Sequence, residues 1–393
     1  MAEIKDLRVL IVGYGRAQVT FLERLVKGLV NEGVQVTLAT ASKRILSRFP
    51  QGSVQWLYAP SWDGGGLTRI ARVVVMMMYN LTSNRKAWLQ EQVRQGQTHR
   101  ERFELLYRYL PFGRGDWDVI YFPWNSAATD YSGLYQLGVP VTVSCRGSQV
   151  NIRPHLPGEE AYKEKLIESL MKAELVHCVS DQIRQEVLSM GVIKEKTVVI
   201  HPSVDPTFFS PANRPITNHL QLITVGALIW RKGYEYLLQA INILRNKNID
   251  VKLQIVGEGN EIDRLLFTIS DLDLAEDVEL LGKLKTESVL EKLQQADVFV
   301  LSSLSEGISN AVLEAMSCGL PIVTTDCGGM REAITNGVEG YVVPIRNPEA
   351  MAEALYKLAI DPALRQQMGQ AGRLRVMEYF HLSDQIDKFI NMF

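Results

Sequence analysis

Apolar residues in this chain fall into short continuous runs separated by stretches with a helical period. Arg8-Val-Leu-Ile-Val12 reads as a strand covered on both faces. Over Thr20–Val30 the apolar positions Phe21, Leu22, Leu25, Val26, Leu29 and Val30 lie three and four apart, which predicts a helix, and Gly33 stops it. Val34–Ala39, Val54–Tyr58, Val119–Phe122, Val139–Val143, Leu175–Val179 and Val198–Ile200 predict further strands, most with helices between them. Such alternation builds parallel sheets layered with helices.

The rhythm breaks at His201-Pro-Ser-Val-Asp-Pro206 and Ser210-Pro-Ala-Asn-Arg-Pro215, where prolines replace periodicity and predict a linker. It restarts with strands at Leu222–Val225, Val251–Val256, Val278–Leu281, Val298–Leu301 and Pro321–Thr324. One predicted helix carries Tyr234, Leu237, Leu238, Ile241 and Leu244 on a single face. Helices over Met351–Leu358, Ala363–Glu378 and Ser383–Met392 close the chain. The expectation is therefore a Rossmann-like α/β domain over 1–203, a linker over 204–218 and a second Rossmann-like domain over 219–378. A last helix over 379–393 is placed to pack back on the first domain.

At 393 residues there is enough chain for two cores. Net charge is −2, so nothing global suggests nucleic-acid binding. Cys145, Cys178, Cys318 and Cys327 are scattered without a Cys-x-x-Cys pair, as expected for reduced structural thiols of a cytoplasmic protein. Met1-Ala-Glu-Ile-Lys-Asp6 leads directly into a strand, so no signal peptide is expected. Ile70–Leu81 is the most apolar stretch, but Arg72 interrupts it and it is too short to span a bilayer.

Ligands of open α/β sheets bind beyond the carboxyl ends of the strands, and two facing sheets make a cleft. Three post-strand segments of the second domain carry the right chemistry for one anionic ligand. Gly226-Ala-Leu-Ile-Trp-Arg-Lys-Gly233 sets Arg231 and Lys232 before a helix. Gly257-Glu-Gly259 is a glycine turn that admits close backbone approach. In Ser302-Ser-Leu-Ser-Glu-Gly-Ile-Ser-Asn-Ala-Val-Leu-Glu314 a loop becomes a helix near Ser309–Asn310. A departing diphosphate could be stabilised by Arg231, Lys232 and that helix start without a metal. Glu314, about one turn into the helix, suits two ribose hydroxyls, and Glu306 could accept from a sugar. Singly, Arg-Lys before a helix reads as solvated surface charge and the glycines as ordinary turns. Their order after successive strands outweighs those readings.

Glu306-(seven residues)-Glu314, Ala315-Met-Ser-Cys-Gly-Leu-Pro-Ile-Val323 and Gly328-Gly329 resemble the signature of glycosyltransferase family 4, the retaining GT-B enzymes. Ile255-Val-Gly-Glu-Gly259, Val278-Glu-Leu-Leu-Gly282 and Ala296-Asp-Val-Phe-Val300 follow that family's order. The likeness is strong over the C-terminal half and loose before it. It implies a GT-B fold, two Rossmann-like α/β domains facing each other across a cleft, and transfer from a nucleotide diphosphate sugar with retention. It further implies that Gly226 and Gly257 border the donor, Lys232 holds the diphosphate and Glu314 the ribose. Glu306 and the backbone of Ile308, Ser309, Asn310 and Ala311 would meet sugar and phosphates, with Gly282, Lys283 and Leu284 near the base. The family's arginine after the first strand of this domain is Ala227 here, and Arg231 is the expected substitute.

In the first half, Gly13-Tyr-Gly15 follows the first strand, but Gln18 and the missing acidic residue after Leu38-Ala-Thr-Ala-Ser42 argue against a dinucleotide site. In the GT-B reading Gly13 and Gly15 form a cleft loop. Arg146-Gly147 resembles the family's His-Gly segment near the transferred sugar, so Arg146 stands as a catalytic candidate beside a structural, salt-bridged reading. His177 and His201 read as packing or loop residues. Asp116-x-Asp118 and Asp271-x-Asp273 sit ahead of strands rather than after them, and no cluster has metal-ligand spacing. Between Leu67 and Gly115 nine Arg/Lys face three Glu, interleaved with apolar and aromatic residues. Docking on an anionic membrane and ordinary amphipathic helices both remain open there.

The function expected is a metal-independent hexosyltransferase acting on a saccharide or lipid-linked saccharide in polysaccharide or glycolipid assembly. It would work in the cytoplasm or at the inner face of the membrane. Its rivals are a nucleotide-sugar epimerase on the same fold and a GT-B binding protein that has lost catalysis.

Overall fold

The computed structural model describes residues 7–13, 20–59, 66–79, 84–212 and 219–393. Two compact units form. One comprises Met1–Cys178, Arg184–Val199 and Ile386–Phe393, and the other Val179–Ile183 and Ile200–Gln385.

The first unit is built on a seven-stranded sheet ordered β3-β2-β1-β4-β5-β6-β7. Its strands are β1 (Arg8–Val12), β2 (Gln35–Thr40), β3 (Val54–Tyr58), β4 (Val119–Phe122), β5 (Val141–Cys145), β6 (Leu175–Cys178) and β7 (Thr197–Val199). Up to the start of the second sheet the helices are α1 (Thr20–Asn31), α2 (Gly66–Tyr79), α3 (Lys86–Arg94), α4 (His99–Tyr109), α5 (Asn125–Asp130), α6 (Ser148–Asn151), α7 (Glu160–Lys172) and α8 (Asp181–Ser189). Every strand pairing is parallel, as continuous apolar runs require when both faces are covered. β5 begins two residues later than the apolar pattern predicts. Pro140 has no N–H to give the ladder, and only its carbonyl takes part, accepting from Ile120 N at 2.9 Å.

The second unit carries a six-stranded parallel sheet ordered β10-β9-β8-β11-β12-β13. The strands are β8 (Leu220–Val225), β9 (Val251–Val256), β10 (Val278–Gly282), β11 (Val298–Leu301), β12 (Ile322–Thr325) and β13 (Gly340–Val343). The remaining helices are α9 (Tyr234–Asn246), α10 (Ile262–Asp271), α11 (Thr286–Gln295), α12 (Asn310–Ser317), α13 (Met330–Ala333), α14 (Pro348–Ile360), α15 (Pro362–Tyr379) and α16 (Leu382–Met392). The apolar pattern does not reveal β13, which is four residues long and opens on a glycine. Gly340 has φ +155°, and a Cβ there would lie 1.8 Å from Ile322 O, so the close pairing with β12 needs this residue.

The proline-punctuated segment is more than a connector. Val204 and Phe209 are buried in the core of the second unit with Phe299, Leu313 and Phe380. Asp205 Oδ1 accepts from Thr207 N at 2.9 Å and Thr207 Oγ1 at 2.6 Å, fixing a turn that aims Phe209 inward. Residues 213–218 of the expected linker lie outside the described residues. At the other end, Phe389 of α16 meets the rings of Tyr121 and His177 edge-on, with centroids 5.8 and 4.9 Å away.

Strand order reverses at β8, which lies between β9 and β11. The loops leaving β8 and β11 therefore emerge side by side, the position where open α/β sheets bind ligands.

Candidate active site

Those two loops hold the chemistry. The segment after β8 turns through a short 3-10 helix at Trp230–Lys232 and ends on Gly233 in the left-handed region, φ +58°. A Cβ at Gly233 would stand 2.4 Å from Ser302 O, so glycine lets the loop lie against the end of β11. Two bonds fasten the loops together: Leu304 N donates to Arg231 O (2.7 Å) and Ser302 Oγ to Lys232 O (2.8 Å).

Lys232 Nζ then reaches Glu306 Oε1 at 2.5 Å across 74 residues of sequence. Ser303 Oγ donates to the same carboxylate oxygen at 2.9 Å, and Thr325 Oγ1 bonds Ser303 O at 2.5 Å. Lys232 and Glu306 keep 17% and 18% of their side-chain surface exposed, enough for a ligand to reach them and little enough to strengthen their charges. Next to the pair, the Tyr234 hydroxyl donates to Gly226 O at 3.0 Å; burial, and then the charge of Glu306, push its pKa up. Burial likewise raises the Cys327 thiol to about 12.

Three glycines let backbone segments pack closely here. A Cβ on Gly257 would fall 1.8 Å from Gly226 O, one on Gly259 2.2 Å from Leu228 O, and one on Gly328 (φ +58°) 1.8 Å from Glu306 O. Gly329 N also bonds Gly307 O at 2.7 Å, so the Gly328-Gly329 turn braces the loop that carries Glu306. That loop runs through buried Ile308 and Ser309 into α12, whose first residues Asn310 and Ala311 are half-buried. Asn310 Oδ1 is enclosed and has no hydrogen-bond partner. Glu314 is buried on the same helix.

Not every expected donor residue joins the pair. Gly282 ends β10, and its carbonyl accepts from Gly257 N at 2.8 Å, which ties it to the glycine turn. Lys283 instead pairs with exposed Glu258 at 2.9 Å, and Leu284 packs against the core, so in this structure their side chains are engaged locally. Ala227 is exposed, while Arg231 is half-buried beside Lys232.

In the first unit, Arg146 follows β5. Its guanidinium lies 3.6 Å from the centroid of the Phe21 ring, and Nη2 donates to Tyr121 OH at 3.3 Å. No carboxylate pairs with it among these contacts, and Nε is buried without a partner. Burial lowers its pKa from the ordinary arginine value. Gly13 follows β1 with φ +92°, where a Cβ would meet Ala127 Cβ at 2.5 Å; Gly15 lies outside the described residues. His177 is a core residue held by Ser144 Oγ at 2.8 Å. Both Asp116 and Asp118 bind Arg8, the latter through Nη2 at 2.7 Å.

One cluster escaped the spacing argument because it is assembled from distant segments. Asp181, His201 and Glu332 bring ligand atoms within 4.8 Å of one another. Glu332 already accepts from His201 Nε2 (2.9 Å), Asp181 N (2.8 Å) and Gln182 N (3.1 Å), so its carboxylate caps the start of α8. Sequence reading also missed Ser303 and Tyr234 as neighbours of the pair. A serine three residues before Glu306 was the only local hint.

The family description "Glycosyl transferases group 1" matches residues 207–375, and "Glycosyltransferase Family 4" matches 18–208, so together they span both units. The chain is a family 4 glycosyltransferase. Among curated relatives of this glycosyltransferase, the D-inositol 3-phosphate glycosyltransferase of Pseudarthrobacter chlorophenolicus is 28% identical over 70% of each chain. The amylovoran biosynthesis glycosyltransferase AmsK of Erwinia amylovora is 29% identical over 56% of each. The crystal structure of Anabaena Alr3699/HepE in complex with UDP and glucose aligns with a TM-score of 0.73 at 16% identity, covering 98% of this chain and 99% of that one. At that identity the likeness establishes the fold, which is GT-B.

Proposed function

We propose that this glycosyltransferase moves a hexosyl group from a nucleoside diphosphate sugar to a saccharide, free or lipid-linked, with retention and without a metal ion. The observation that carries the reading is the Lys232–Glu306 pair at the strand-order reversal, next to the start of α12. In the reaction the anomeric carbon–oxygen bond to the diphosphate breaks and an acceptor hydroxyl oxygen takes its place. The acceptor proton leaves with the nucleoside diphosphate.

Charge grows on the diphosphate as that bond breaks. Lys232, Arg231 and the unpaired amides that open α12 are the groups assigned to hold it. Glu306 orients Lys232 before the donor arrives and accepts from a sugar hydroxyl once the diphosphate draws the ammonium away. Asn310 Oδ1, an enclosed acceptor without a donor, is suited to a ligand hydroxyl. Glu314 is assigned to the ribose. Arg146 is proposed to face the transferred sugar. A relative named for amylovoran biosynthesis supports polysaccharide assembly as the setting.

The deciding experiment screens nucleoside diphosphates for thermal stabilisation, then measures nucleoside diphosphate release from each stabilising sugar nucleotide with and without saccharide acceptors. Acceptor-dependent release is expected. Conversion of the donor with no acceptor present would indicate an epimerase, and no affinity for any nucleoside diphosphate would indicate a binding protein.

A further inference from the structure

Among the described residues, helix α2 carries an exposed apolar face. Val73 and Met76, three positions apart, pack on a small cluster with Tyr107, Leu110, Leu89 and Phe103, and Arg72 Nη1 donates to Tyr107 OH at 3.0 Å. That attachment uses one side of the helix. On the other side Ile70, Val74, Val75, Met77 and Met78 keep between 45% and 66% of their surface in solvent. At 100° per residue these five positions span a sector of about 160°. Among the described residues no other helix exposes five large apolar side chains. Together they amount to a few hundred Å², roughly the size at which exposed patches mark interaction surfaces.

Charge selects the partner. Gly66–Tyr79 contains Arg69 and Arg72 but no carboxylate. The stretch from Leu67 to Gly115 carries a net charge of +6 in a chain whose total is −2, leaving −8 on the rest. Residues 1–115 together carry a net charge of +9 against −11 on residues 116–393, so this apolar face lies in the basic part of the chain and complements an anionic lipid surface. A second copy docking through the same face would set basic stretch against basic stretch, which like charge disfavours. Length fixes the mode of contact. Fourteen residues of helix are about 21 Å long, short of a hydrocarbon core of about 30 Å, and no helix among the described residues is long and apolar enough to cross a membrane.

We propose that α2 is an interfacial membrane anchor, lying in the plane of an anionic bilayer with Ile70, Val74, Val75, Met77 and Met78 among the acyl chains. It works independently of the donor site. Its partner is an anionic phospholipid surface, and binding combines apolar burial with attraction of the basic stretch.

The test is sedimentation of the full chain with vesicles, in the absence of any sugar nucleotide, so the outcome does not depend on the transfer reaction. Vesicles of phosphatidylcholine with one-third phosphatidylglycerol should retain the protein at low salt. Pure phosphatidylcholine should retain at least tenfold less, and V75E/M78E should lose at least tenfold on the anionic vesicles. F267E, a control on an exposed residue of α10, should bind like the parent. Both replaced positions of V75E/M78E are exposed, so the variant should keep the parent melting temperature. Because all four native cysteines are buried, V75C can be labelled selectively with an environment-sensitive dye, whose emission should shift to the blue on vesicle binding. Three results overturn the proposal: no retention on anionic vesicles, equal retention of V75E/M78E, or a parent dimer that V75E/M78E dissolves while vesicles bind neither.

Discussion

Replacing Lys232 by alanine tests the assignment of the donor site most directly. Its ammonium sits 2.5 Å from Glu306 Oε1, with both side chains about four-fifths covered. Two unit charges about 4 Å apart attract by roughly 4 kcal/mol at an effective dielectric of 20. A lysine serving a departing diphosphate would supply a large part of that, reduced by whatever contact with Glu306 it gives up. A net of about 3 kcal/mol corresponds to a rate factor of roughly 10², the range seen when one electrostatic stabiliser is removed. The expected result for K232A is therefore a fall in kcat of about 10²–10³, read as nucleoside diphosphate release at saturating donor. Stability should change less. Glu306 keeps its bond from Ser303 but loses its cation, at a cost between the surface and buried limits, about 1–3 kcal/mol. A lysine that only held Glu306 in place would have nothing left to do once Glu306 is gone. E306A and K232A/E306A would then turn over equally, whereas the diphosphate role makes the double variant slower. Unchanged turnover in K232A, or equality of those two enzymes, refutes the assignment.

G328A should lower both the melting temperature and kcat, because a Cβ at φ +58° would meet Glu306 O at 1.8 Å and displace the loop; thermal melts and initial rates on one preparation check this. E314Q should weaken nucleoside diphosphate binding about tenfold by calorimetry while leaving the melting temperature nearly unchanged. Turnover should persist after exhaustive EDTA treatment; loss of activity restored by a divalent ion would contradict charge stabilisation by Lys232, Arg231 and α12. Glu332 is subject to burial, which raises its pKa, yet the bond from His201 and the amides of Asp181 and Gln182 prevail and hold it below the ordinary glutamate value. Its contribution to stability is thus complete above that ordinary value and is lost as pH falls through the lowered folded one. E332Q should show a shallower loss of stability than the parent over that acid window in urea titrations; identical slopes would contradict the capping role.

Much of this protein is local in the sequence. Continuous apolar runs such as Arg8–Val12 and Val298–Leu301 announce strands covered on both faces, and the spacing from Glu306 to Glu314 places two carboxylates on a loop and the helix that follows it. Both depend on side chains a few positions apart, which a linear pattern can record. Distance in the chain hides the rest. The sheet order that reverses at β8 arises from pairings between strands separated by whole helices, and it alone brings Lys232 onto Glu306 across 74 residues. The contacts of Glu332 with Asp181 and His201 bridge 151 and 131 residues. Helix α2 makes the same point through burial. Its apolar content is plain in the sequence, but which residues it shelters and which it leaves in solvent depends on how Val73, Met76 and Arg72 meet the cluster around Tyr107. Hydrophobicity belongs to each residue, whereas exposure depends on which other parts of the chain come to lie against it.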